Sequence, residues 1–147
     1  MKNTARRLLI ALAFLVSLGA GLTAKATPSS VDVAVESYKH SIQGKGVGGL
    51  SLEASIGLGL TIAHCGPSFA VGVYQSIANS TDLETFKMEF KKTSPSEKCT
   101  IASIKLGMAL SLLKERSAKA FETFMAMAKN RLNEELKSES GQRPESI

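Results

Sequence analysis

The chain opens with Lys2, Arg6 and Arg7 and no acidic residue, runs through an apolar stretch from Leu8 to Leu22, and reaches Ala24-Lys25-Ala26. A basic start, a short apolar core and small residues at the two positions a signal peptidase reads make a secretory signal. The pattern predicts removal of residues 1–26, with Ala24 and Ala26 marking the cleavage site. The rest would then fold in the periplasm or outside the cell. The competing reading is a membrane anchor. A spanning helix needs about 20 apolar residues, and Gly19, Gly21, Thr23 and Lys25 break the run too early. No cysteine stands at the cleavage point to carry a lipid.

Export decides how the two cysteines are read. Cys65 and Cys99 are the only ones in the chain. An even count in an oxidising compartment argues for a disulfide, and one pair has one intramolecular connectivity. Such a bridge would contribute roughly 3–4 kcal/mol on a chain-entropy account. An intermolecular bridge and a pair of buried thiols are the alternatives. His64 beside Cys65 raises the idea of a metal site or a Cys–His pair. Neighbouring side chains diverge on a helix or strand, and His40 is the one other histidine, so neither a metal nor a cofactor is expected.

Loss of the leader also changes the charge. The whole chain carries 18 Lys+Arg against 13 Asp+Glu, a net +5. Lys2, Arg6, Arg7 and Lys25 belong to the leader, which leaves 14 basic against 13 acidic residues. Nucleic-acid binding rests on many phosphate contacts from a clustered basic surface, so a nucleic-acid partner is not expected.

Along residues 27–137 the pattern predicts a single, mainly α domain, a compact bundle of about five helices with one disulfide. Ser29 is placed to cap a helix carrying Val31, Val35, Tyr38 and Ile42 at helical spacing, although Val31, Val33 and Val35 also fit a strand. Gly44, Gly46 and Gly49 formally match G-x-G-x-x-G. That motif has meaning between a strand and a helix, and the segment reads as a flexible connector.

Leu50 to Ile62 alternates strictly between apolar and small or polar residues, which fits a half-buried strand and so an α+β alternative. Gly57 and Gly59 weaken a strand. The following Cys65-Gly66-Pro67-Ser68 looks like a helix stop and a new helix start, which favours a buried helix. Phe69, Val73 and Ile77 then share a helical face ending near Asn79. Thr81 to Glu84 makes a capping box for a helix with Leu83, Phe86 and Phe90. Ser94-Pro95-Ser96-Glu97 makes another, opening a stripe through Ile101, Ile104, Met108 and Leu112. Phe121, Phe124, Met125, Ala128, Leu132 and Leu136 continue it. Between them lies polar Lys114 to Ser117, where one helix bends or two meet with Ser117 as the cap. Residues 138–147 read as a disordered tail.

Signatures of chemistry are missing from the sequence. It has no Gly-x-Ser-x-Gly, no His-Glu-x-x-His and no phosphate-binding loop. Glu53 is the one charged residue in the apolar run. It reads either as a buried acid of raised pKa or, more simply, as a residue on the solvated side of its element. Met108, Met125 and Met127 read as core fillers. The expectation is a protein that is not an enzyme.

Cys65, then Phe69-Ala70-Val71-Gly72-Val73-Tyr74, then Cys99-Thr100-Ile101 opening an amphipathic helix, a polar break and a last helix resemble the Rap1a/Tai class of small periplasmic immunity proteins. The resemblance covers Cys65 to Leu132. It departs from the family pattern in lacking a proline soon after Cys99 and a further cysteine pair. It implies an exported, disulfide-bonded helical protein that neutralises a cell-wall-attacking effector. With or without it, the sequence points to a non-catalytic binder of another protein: an inhibitor, an immunity protein or a chaperone-like factor. The alternative is an envelope- or membrane-associated helical protein using the Gly-rich apolar stretch 46–62.

Overall fold

A computed structural model describes residues 29–79 and 94–141. Among these residues the chain forms five α-helices and no strand: α1 (Ser30–Ile42), α2 (Val47–Cys65), α3 (Pro67–Asn79), α4 (Glu97–Arg116) and α5 (Ala118–Gly141). The mainly α expectation holds and the strand alternative for 50–62 does not. The leader with Ala24 and Ala26, the helix expected after Thr81, and residues 142–147 lie outside the described residues.

Helix α4 is the hub. It touches every other helix, and Ala102, Ile104, Leu106, Ala109, Leu110 and Leu113 are all buried. These positions surround the helix instead of following one stripe. Of the four residues in the expected stripe, Ile104 and Met108 are buried, while Ile101 and Leu112 are only partly so. A helix with neighbours on several sides needs an apolar girth, not an apolar edge.

Helix α2 runs antiparallel to α4 and is fastened to it at three heights. At one end Cys65 is bonded to Cys99, with the Cα atoms 5.0 Å apart. In the middle, a Cβ placed on Gly57 would stand 3.2 Å from the Leu106 Cα, so glycine is what lets the two backbones approach. At the other end Arg116 donates to the Gln43 carbonyl just before α2, at 2.7 Å.

Local chemistry sets the helix ends. The Ser29 hydroxyl accepts from the Asp32 N–H at 3.2 Å, and Asp32 sits in the first turn where the dipole favours an acid. Val35 and Ile42 are buried while Val33 faces solvent, which is a helical and not a strand distribution. Helix α2 begins at Val47, so Gly48 and Gly49 are helical and only residues 43–46 connect. This corrects the reading of Gly44 to Gly49 as a connector. Glycine costs about 1 kcal/mol per helical position relative to alanine; burying Leu50 and Leu58 returns roughly 1.5–3 kcal/mol each. Gly66 has φ of 85°, a conformation that favours glycine. Its N–H closes α2 on the Ile62 carbonyl at 3.0 Å, and Pro67 opens α3.

The cap of α4 is Ser96, not Ser94: its hydroxyl accepts from the Cys99 N–H at 3.1 Å. The Ser94 hydroxyl is engaged with Thr100, and the Glu97 carboxylate takes the Ser30 hydroxyl from α1. The cap thus sits two residues beyond the expected box, and with Cys99 three residues after it there is no reciprocal carboxylate. Ser117 separates two helices. It is extended, its N–H closes α4 on Leu113, and its hydroxyl accepts from the Ala120 N–H at 3.1 Å. Helix α5 continues to Gly141, so residues 138–141 are helical where a disordered tail was expected.

Candidate protein-binding face on α2

Helix α2 is apolar on two opposed sides. Leu50, Ala54, Gly57, Leu58 and Thr61 are buried. Leu52, Ile56 and Leu60 point the other way and are 62%, 50% and 42% exposed. Their i, i+4, i+8 spacing forms a ridge about 12 Å long at 1.5 Å per residue. A helix that is apolar all round is ordinarily covered all round, and contiguous exposed apolar surface marks interaction sites.

One flank of the ridge descends into a groove of about 510 Å³ between α2 and the first half of α5. Leu52, Ala120, Phe124 and Met127 give it an apolar lining, with Ser55 and Thr123 among its polar residues. Met127 is 48% exposed, which corrects its reading as a core filler; Met108 and Met125 are buried as expected. Lys119 stands in the lining at one end. Outside the groove lining, further along α5, the Arg131 guanidinium lies over Gly59, 3.5 Å from where a Cβ would sit. Neither cation is ion-paired among the described residues.

The opposite flank carries a closed polar network. Lys45 Nζ lies 2.7 Å from Glu53 Oε1, and the Tyr38 hydroxyl donates to Glu53 Oε2 at 3.2 Å. The Lys105 ammonium sits 5.3 Å from the Tyr38 ring centroid. The hydrogen bond from Lys45 outweighs the effect of burial and holds the Glu53 carboxyl below the usual carboxylate range. Burial, reinforced by the Glu53 charge, pushes the Tyr38 hydroxyl well above its ordinary value. Glu53 is therefore not the raised-pKa acid that its apolar run suggested. It ties α1, the connector and α2 together.

Neither cysteine is free, so His64 has no thiol to activate. Among the described residues no three His, Cys, Asp or Glu side chains gather as a metal site, and no helix is long and apolar enough to cross a membrane. A second cavity of about 420 Å³ lies where α1 and α4 begin, lined by Ser29, Ser94, Ser96 and Thr100. Its hydroxyls are already engaged with one another, with Asp32 and with backbone groups.

The ridge was not singled out from the sequence, although its signal is there. Apolar residues at every second position, once wound into a helix, fall on two faces about 200° apart at 100° per residue. Compared with family models, with curated proteins and with solved structures, the chain finds no match.

Proposed function

We propose that this is an exported protein that works without catalysis, by binding another protein through the outer face of α2. The observation that carries the reading is the exposed ridge Leu52–Ile56–Leu60 beside an apolar groove. The disulfide suits the oxidising compartment implied by the leader. An inhibitor, an immunity protein and a chaperone-like factor all work this way, and the resemblance to periplasmic immunity proteins favours the second.

A photo-crosslinking amino acid at position 56, in the full chain expressed with its leader, tests the reading. Val33, 54% exposed on α1, supplies the control position. The expected result is one predominant protein adduct from the periplasmic fraction at position 56 and none at position 33. The same adducts at both positions, or none, would overturn it. Lipid adducts at position 56 would favour the envelope-associated alternative.

A further inference from the structure

We propose that the Cys65–Cys99 bridge is a thiol-exchange site of the folded protein: a thiolate of an external dithiol attacks the Cys65 sulfur, and Cys99 leaves as the thiolate. The proposal stands apart from the binding role of α2.

Access fixes the direction. Cys99 is buried, with none of its surface exposed. Cys65 is partly exposed, and Ala63, His64 and Ser68 beside it in the chain are exposed. An attacking thiolate must reach the sulfur it displaces, and exposed disulfides are the labile ones. Of the two sulfurs, only that of Cys65 belongs to a residue that solvent reaches.

The antiparallel packing of α2 and α4 gives the sulfurs opposite electrostatic settings. Cys65 is the last residue of α2, and Cys99 is the third of α4. Negative charge is disfavoured at a helix C-terminus and favoured at an N-terminus, where thiolates are stabilised. Glu97 and Lys98 share the first turn of α4 and carry opposite charges. Burial of Cys99 works against its charge. That slows the step without redirecting it, because attack at Cys99 is closed.

The exchange balances in two steps. The first thiolate of the dithiol bonds to the Cys65 sulfur, the bond to Cys99 breaks, and Cys99 takes the electron pair. The second thiolate then closes on the first, and Cys65 leaves in turn. The buried Ser103 hydroxyl, 3.6 Å from the Cys65 sulfur, is placed to take up that charge. Two electrons pass from the dithiol, which becomes a disulfide, and its two protons end on the cysteines. The bridge so opened is the fastening at the C-terminal end of α2, five residues beyond Leu60; the other two fastenings involve no sulfur.

Dithiothreitol added to the oxidised protein, with opening followed by alkylation and mass measurement, tests the proposal. Between zero and about 1 M urea the rate constant should change by less than about threefold, since the folded protein reacts. Opening that needs global unfolding would rise by about fivefold or more over that range. A rise above threefold, or no opening without urea, would overturn the proposal. Cys99→Ala and Cys65→Ala each leave one thiol, and oxidised glutathione forms the mixed disulfide on it. With circular dichroism unchanged, Cys99→Ala should react about tenfold faster or more. A smaller difference, or the reverse order, would overturn the direction of attack. The urea series uses the parent protein alone, so it decides the proposal even where a variant fails to fold.

Discussion

Alanine at position 57 tests whether glycine sets the distance between α2 and α4. The added methyl would stand 3.2 Å from the Leu106 Cα and 3.3 Å from its Cβ, inside the 3.5–4.0 Å at which carbon atoms attract best. Neither atom can swing away by a change of rotamer, because one is backbone and the other is fixed to it. Relief needs a shift of one whole helix against the other, and the disulfide between Cys65 and Cys99 restrains that shift. Overpacking of this kind costs about 1–3 kcal/mol, while replacing a helical glycine by alanine returns about 1 kcal/mol. Gly57→Ala should therefore lower stability by about 0–2 kcal/mol. Gly72, exposed in the middle of α3, has nothing within 4 Å of its missing Cβ, so Gly72→Ala should raise stability by about 1 kcal/mol. Urea unfolding followed by far-UV circular dichroism, with the disulfide intact, reads both. If Gly57→Ala stabilised the protein as much as Gly72→Ala, α2 would have slack against α4 and the close-approach argument would be wrong.

Replacing Cys65 and Cys99 together by alanine opens a loop of sequence separation 34; the expected loss in the same urea assay is about 4 kcal/mol, and a loss under about 1 kcal/mol would mean the bridge does not limit the unfolded chain. Glu53 has a folded pKa below its ordinary 4.5, so its contribution is complete above that value and is lost as pH falls through the folded one. Glu53→Gln should thus be less stable than the parent at neutral pH, with the gap closing below about pH 4.5; a gap that widens on acidification contradicts the Lys45 pairing. Leu58→Ala, on the inner face of α2, should cost about 2–5 kcal/mol, whereas Ile56→Glu should stay within about 0.5 kcal/mol in the same unfolding experiment. A large loss for Ile56→Glu would show that the ridge is covered in the free protein.

Much of this fold is legible in the residues, because its helix ends are written in local chemistry. Ser29, Ser117 and Gly66-Pro67 each satisfy or stop a turn with their own atoms, and each does so where the sequence places it. Ser94 and Ser96 show the limit. Both can cap, and the choice between them depends on Thr100 and on Ser30 from α1, sixty-seven residues before Glu97. Leu50 to Ile62 shows it more sharply. Alternation is the strand signal, and what overrides it is a neighbour: α4 offers a surface that only a helix with glycine at position 57 can approach so closely. Ridge and strand signal are thus one feature, seen once as a wound helix and once as a string of letters. Met127 escaped for a related reason. It continues the apolar composition of α5, but on the side where α2 leaves a trough.

The fastening of α2 explains why its free side suits recognition. The disulfide, the Gly57–Leu106 contact and the Arg116–Gln43 hydrogen bond hold the helix at both ends and in the middle. The Lys45–Glu53–Tyr38 network braces it from α1. Binding loses affinity to whatever must be ordered when partners meet, and here the backbone carrying Leu52, Ile56 and Leu60 is ordered beforehand. On the proposed function, the two faces of α2 would divide the work. Residues turned inward set stability, and their replacement should leave the proposed recognition unchanged unless the helix is freed. Residues turned outward can vary in chemistry at small cost to the fold, the freedom that a binding surface of the kind proposed needs if it is to follow its partner.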